Sequence, residues 1–166
     1  MQKKSVEKKT KTEMKQILTL IILVSFSNCG KNIKMKKFNS EYNYSVNIPE
    51  NWSEYETDEK NTNAFFDTTQ WTGNLRITPM NYEIKNAKEF LRELLIEENG
   101  QNIDWKNIRG VYYVENEKNE EINYWYLIEN NKLYICSFTV GNLNGKNEIE
   151  TELKKVTEIL ESIKTE

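Results

Sequence analysis

Histidine is absent from this chain of 166 residues. Nucleophilic systems of the Ser–His and Cys–His types need an imidazole base, so the composition excludes them. The commonest zinc and copper sites also depend on histidine nitrogen and are excluded with them. An enzyme is therefore the least expected class of protein, and we predict no catalytic residue, no metal site and no other cofactor.

Cysteine and glycine are also scarce. The chain has two cysteines, Cys29 and Cys136, and six glycines. The segment 141–146 contains two glycines and a lysine, but it lacks the spacing and the following hydroxyl residue of a phosphate-binding loop. Cys136 lies in an apolar strand without charged neighbours, so we expect a buried, unreactive thiol.

The first 28 residues are typical of a secretion signal. Six lysines precede an apolar run from Ile17 to Val24, and a cationic leader before roughly 10 apolar residues is the signal-peptide pattern. A membrane-spanning helix would need about 20 such residues. Residues 26–29 resemble the cleavage box of bacterial lipoproteins, although Phe26 and Asn28 are not its preferred residues. We therefore predict lipidation at Cys29; the alternative is an ordinary secretory signal with an incidental cysteine.

Removal of the leader would change the charge of the chain. Residues 29–166 contain 17 basic and 24 acidic side chains, a net charge of −7. Such a charge opposes binding to nucleic acid and to anionic lipid headgroups. Membrane attachment would then depend on the acyl chains at Cys29. The expected location is the bacterial cell envelope, with the protein facing the periplasm or the surface. The sequence does not indicate which membrane holds the anchor.

The remaining chain is predicted to contain a tether at residues 29–40 and one α+β domain at residues 41–166. Alternating or short apolar segments predict strands within 44–48, 64–67, 75–78 and 103–115. A helix is expected after Asn86, which can form a capping box with Glu89, and Gly100 is expected to form its C-terminal cap in the left-handed conformation typical of glycine there. A second helix is predicted from apolar residues spaced by three and four between Ile149 and Ile163, with Glu148, Glu150 and Glu152 on its solvated face.

A hairpin is predicted around Asn130 and Asn131. In that register one face holds Trp125, Leu127, Tyr134, Cys136, Phe138 and Val140. The other face holds Ile122, Tyr124, Tyr126, Ile128, Leu133 and Ile135. Since both faces are apolar, the hairpin should lie in the middle of a sheet that is covered on both sides.

The order of these segments resembles the PsbP/Mog1-like domains. The resemblance rests on a strand ending at Ile48-Pro49-Glu50-Asn51-Trp52, strands at Phe65-Phe66-Asp67 and Leu75-Arg76-Ile77-Thr78, a helix with Glu89-Phe90-Leu91, a tyrosine-rich hairpin and a terminal helix. It implies an antiparallel β-sheet flanked by helices in an α/β/α sandwich. It also implies a binding or accessory protein without a shared catalytic apparatus.

Three functions fit these observations. The first is a non-enzymatic accessory lipoprotein that acts through a protein partner in the envelope. The second is a small-ligand or glycan binder that uses aromatic rings in or near loops, since such rings can stack on a sugar. The aromatic candidates are Trp52, Tyr55, Trp71 and Trp105; the alternative is that they cap the ends of the sheet. The third is an immunity-type protein against a secreted toxin, suggested by small size and acidity.

Overall fold

The computed structural model describes residues 33–83, 85–117 and 120–166. Within these ranges the chain forms ten strands and two helices. The strands are β1 (Met35–Ser40), β2 (Tyr44–Pro49), β3 (Trp52–Tyr55), β4 (Asn63–Asp67), β5 (Gly73–Glu83), β6 (Gln101–Trp105), β7 (Ile108–Glu117), β8 (Glu120–Glu129), β9 (Lys132–Val140) and β10 (Lys164–Thr165). The helices are α1 (Ala87–Glu97) and α2 (Lys146–Leu160). The predicted leader and Cys29 lie outside the described residues.

The strands form two antiparallel sheets. The larger has seven strands in the order β3-β4-β5-β9-β8-β7-β6, and the smaller has three in the order β1-β2-β10. Each neighbouring pair is antiparallel. The predicted α+β class is confirmed in this form, a domain dominated by antiparallel sheet with two helices.

The β8–β9 hairpin lies at the centre of the larger sheet, as predicted. Asn130 and Asn131 have φ values of 49° and 65°, the left-handed backbone that a two-residue type I′ turn needs. Glu129 pairs with Lys132 across the turn, and Trp125 pairs with Cys136. The predicted register is therefore confirmed.

Each face of the larger sheet packs against one helix. On one face, Trp125, Leu127, Tyr134, Cys136 and Phe138 share a core with residues of α2. The α2 residues in this core are Val156, Ile159 and Leu160. On the other face, Ile128 and Leu133 pack with Leu91 and Leu94 of α1. Both apolar faces of the hairpin are thus covered.

Helix α1 begins at the predicted cap but ends differently. Asn86 Oδ1 accepts a hydrogen bond from the Glu89 backbone N–H at 3.3 Å, and Asn86 Nδ2 donates to Glu89 Oε2 at 2.6 Å. The left-handed residue at the far end is Asn99, with φ of 48°, whereas the sequence predicted this role for Gly100. Gly100 is required for another reason: a Cβ there would lie 2.6 Å from Val111 Cγ1.

The predicted tether at residues 29–40 is wrong for its second half. Met35–Ser40 pairs with β2 along its whole length, and the Phe38 ring lies 4.9 Å from that of Phe65. The strand contributes few buried side chains, so its sequence lacks the alternation that marks a strand. Backbone pairing and one aromatic contact place it in the domain. Residues 29–32 lie outside the described ranges.

Candidate functional site

Two loops meet at one end of the larger sheet and form the candidate site. The β4–β5 loop and the segment after β9 are joined by two backbone hydrogen bonds of 2.9 Å, from Gly141 N to Thr72 O and from Asn142 N to Trp71 O. A Cβ at Gly141 would lie 2.7 Å from Gly73 N, so only glycine permits this approach. The loops therefore fix the position of Trp71.

Beside these loops lies an open cleft of about 590 Å³, which also borders the first three turns of α2. The helix contributes Asn147, Glu148, Thr151, Glu152 and Lys155. Thr151, Glu152 and Lys155 follow Glu148 by three, four and seven residues, so these side chains lie on one face of the helix. The loops contribute Gln70, Trp71, Thr72, Asn142 and Leu143.

A buried ion pair lies at the inner side of the cleft. Glu152 is only 4% exposed. It accepts a hydrogen bond from Thr72 Oγ1 at 2.9 Å and one from Lys155 Nζ at 2.6 Å. Lys155 Nζ also lies 5.9 Å from the centre of the Trp52 ring. This network connects α2 with the β4–β5 loop and places charged groups beside the cleft.

Asp67 shapes the β4–β5 loop at its start. Its Oδ1 accepts hydrogen bonds from Thr69 N at 2.8 Å and Thr69 Oγ1 at 2.6 Å, and its Oδ2 accepts one from Asn51 Nδ2 at 2.8 Å. Burial alone would raise the pKa of the Asp67 carboxyl. The hydrogen bonds from Thr69 and from the Gln70 backbone, together with the charge of Lys155, outweigh burial and lower that pKa below its usual value.

Trp71 presents its ring at the rim of the cleft. Its side chain is 48% exposed, although most large apolar side chains of the domain are buried. Its ring centre lies 6.4 Å from that of Phe66, which lies 5.7 Å from Tyr55. Tyr55, Phe66 and Trp71 therefore form an aromatic row that ends at the cleft.

The structure separates the four aromatic residues that the sequence proposed for binding. Tyr55 and Trp71 lie at the two ends of the aromatic row. Trp52 is fully buried in the core, so of the two alternatives a structural role applies to it and its ring is not available to a ligand. The reason is that residues 52–55 form an edge strand whose first side chain points inward. Trp105 is half-buried against the same core on β6, at the opposite edge of the sheet from β3.

Sequence reasoning missed Phe66, Thr72, Glu152 and Lys155. Glu152 was expected on the solvated face of α2, and its burial corrects that expectation. A signal was available, because Glu152 follows Ile149 by three residues and therefore lies beside the apolar stripe of α2. Thr72 and Phe66 approach the helix and Trp71 through tertiary contacts, for which the sequence gives no sign.

Other chemistry at the site is limited. The structure shows no group of three or more Asp, Glu or Cys side chains able to hold a metal ion, within its described ranges. In that part of the chain, neither helix is long and apolar enough to cross a membrane. Cys136 is fully buried and burial raises the pKa of its thiol, which confirms the expected buried residue. The cleft thus offers amide, hydroxyl and charged groups beside an exposed aromatic ring.

A comparison with one solved structure supports the fold. One similar crystal structure is of a protein from Bacteroides thetaiotaomicron, with 24% identity and a TM-score of 0.60, covering 79% of this chain. This chain spans only 48% of that one. A distant structural match is the solution structure of cyanobacterial PsbP from Synechocystis, with 10% identity and a TM-score of 0.38, covering 85% of this chain and 99% of the other.

The family assignment comes from the sequence itself. No curated protein matches the chain. The model of a domain of unknown function, DUF3805, matches residues 33–165. This match begins before β1 and ends within β10, so it includes the strand that the sequence analysis assigned to a tether. The chain belongs to the DUF3805 family.

Proposed function

We propose that this protein is a non-enzymatic binding lipoprotein of a bacterial cell envelope, which takes a glycan or a similar polar ligand in the cleft beside Trp71. The supporting observation is the combination at this cleft of a half-exposed tryptophan with fixed polar side chains. An indole face packs against the apolar face of a sugar ring, while amide, hydroxyl and carboxylate groups bind its hydroxyls.

The geometry favours a ligand that the cleft can partly surround. Its volume of about 590 Å³ lies within the range of small-molecule sites. Backbone hydrogen bonds to Trp71 O and Thr72 O hold this part of the loop in place, so little ordering of the backbone would be needed on binding. The Glu152–Lys155 pair is already neutralised internally, which favours an uncharged polyhydroxyl ligand over a highly charged one.

Binding through a protein partner has less support from the surface. Five large apolar side chains are exposed in the described part of the chain: Ile33 and Met35 near the start of the domain, Trp71 in a loop, Ile96 on α1 and Val114 on β7. Apart from the first two, they lie singly in different elements. Apolar side chains that are exposed singly are normal on a protein surface and do not define an interface. The partner hypothesis therefore remains a prediction from the sequence.

Calorimetric titration with a panel of cell-wall oligosaccharides and peptidoglycan fragments tests the proposal. The wild-type chain should bind at least one of them, and Trp71→Ala should abolish that binding. Ile96→Ala is the matched control, because Ile96 is also exposed but lies on α1. Absence of binding across the panel, or equal binding by the Trp71 variant, would reject the glycan proposal.

The anchor is tested separately. In cells given a labelled fatty acid, the wild-type protein should incorporate label and sediment with membranes, and Cys29→Ala should do neither. Label retained by the variant would reject lipidation at Cys29 without affecting the ligand proposal.

A further inference from the structure

A second groove lies between α1 and the edge hairpin β6–β7, with a volume of about 330 Å³. Its apolar lining includes Ala87, Leu91 and Leu95, all on α1. Leu91 is more than nine-tenths buried, and Ala87 and Leu95 pack against the same apolar cluster. Strand β6 is at the opposite edge of the sheet from β3, and no lining residue is shared with the Trp71 cleft.

The charged lining of this groove is mainly cationic. Lys88, Arg92 and Arg109 line it, and Asp104 is its one acidic residue. Arg92 and Arg109 are two of the three arginines in a chain whose net charge is −3. Cations are therefore concentrated here against the overall charge of the protein.

These cations have no internal partner in the described part of the chain. Lys88 and Arg92 are four residues apart on α1 and so lie on the same face. Arg109 pairs in register with Asp104 across β6 and β7, yet the two side chains do not form an ion pair. None of the three cations forms an ion pair with any described residue. Their charge is available to a ligand.

We infer that this groove binds a small anionic amphiphile, a carboxylate with an unbranched apolar chain. A guanidinium binds a carboxylate through two parallel hydrogen bonds, which makes Arg92 and Arg109 suited to the head group. The apolar chain would cover Ala87, Leu91 and Leu95, which follow one another at steps of four along one face of α1. The volume lies at the lower end of small-molecule sites, so the expected ligand is of medium chain length.

The two halves of the lining exclude simpler ligands. A bare inorganic anion would use the arginines but leave the apolar floor uncovered. A cationic amphiphile would cover the floor but meet three positive charges. Only a molecule that is anionic at one end and apolar along the rest satisfies both.

Isothermal titration of the full chain with decanoate, below its micelle concentration, tests the inference. Decanoate should bind and decyltrimethylammonium, with the same chain and the opposite charge, should not. Arg92→Gln with Arg109→Gln should weaken decanoate binding at least about tenfold, as loss of hydrogen bonds to a charged group implies. Lys60→Gln with Lys154→Gln removes two exposed cations elsewhere and should leave binding unchanged.

Several results would overturn the inference. Equal binding of the two amphiphiles would show that apolar surface alone is responsible. Equal binding of acetate and decanoate would show that the floor is not used. Unchanged decanoate binding by the arginine variant would place the site elsewhere. If the protein bound anionic vesicles but not dissolved decanoate, the groove would not be the site of a small ligand. Circular dichroism checks that the variant folds; if it does not, Lys88→Gln replaces it, with a smaller expected loss.

Discussion

Replacement of Lys155 by methionine is expected to destabilise the domain by leaving Glu152 as an unpaired charge. Lys155 and Glu152 side chains are only 14% and 5% exposed, and their charged atoms are 2.6 Å apart. Breaking a buried pair by removing one partner costs about 3–5 kcal/mol. Methionine preserves most of the packing of the lysine stem, so the change chiefly removes charge.

The expected loss of stability in Lys155→Met is smaller than this range of about 3–5 kcal/mol. Thr72 still donates its hydroxyl hydrogen bond to Glu152, and the open cleft admits water to the vacated position. We therefore expect a loss of about 2–3 kcal/mol in the free energy of unfolding. Glu152→Gln should cost less, about 1 kcal/mol, because Lys155 borders the cleft and can extend to water.

Urea unfolding of the two single variants and the double variant measures these values. The double variant should lie within about 1 kcal/mol of the wild type, since it contains no unpaired buried charge. Lys146→Met is the matched control on the same helix, because its ion pair with Glu150 is exposed, and it should change stability by less than about 0.5 kcal/mol. If Lys155→Met cost no more than Lys146→Met, or the double variant were as unstable as Lys155→Met, the reasoning would be refuted.

Three further predictions concern the rest of the domain. Leu94→Ala should lower the free energy of unfolding by about 2–4 kcal/mol, because Leu94 lies on α1 and is buried against the sheet. Ile96→Ala, at a residue 73% exposed on the same helix, should change it by less than about 0.5 kcal/mol in urea titrations, and equal effects would contradict the assigned helix face. Because the pKa of Asp67 is lowered in the folded state, its carboxylate stabilises the domain fully above the unfolded-state pKa, near 4, and this stabilisation disappears as pH falls through the folded-state pKa. Asp67→Asn should therefore lose less stability than the wild type between neutral and acidic pH, and parallel pH profiles of the two proteins would contradict this prediction. Cys136 should react with a thiol reagent only on unfolding, and fast reaction of the native protein would contradict its burial.

Local patterns predicted several elements well. The Asn130–Asn131 turn fixed the register of β8 and β9 because two asparagines readily adopt the left-handed backbone that the turn requires. With that register, the side-chain period of two assigned Trp125 and Cys136 to one face and Ile128 and Leu133 to the other. Asn86 and Glu89 likewise marked the start of α1.

The parts that sequence reasoning missed depend on tertiary contacts. Strand β1 exposes most of its side chains, and its place is set by backbone pairing with β2, which residue types do not reveal. The Trp71 cleft requires the approach of the loops at Thr72 and Gly141, which lie far apart in the chain. Burial of Glu152 follows from that same approach. Trp71 was proposed from the sequence, but the sequence could not distinguish its exposure from the burial of Trp52.

The most direct test of the central claim uses the four tryptophan indole N–H groups as separate NMR reporters. They belong to Trp52, Trp71, Trp105 and Trp125, of which Trp52 and Trp125 are buried and Trp105 is half-buried at the other edge of the sheet. Addition of a cell-wall oligosaccharide that binds should shift the Trp71 resonance and leave the other three nearly unchanged. A shift confined to Trp105, or binding without any change at Trp71, would contradict the proposed site.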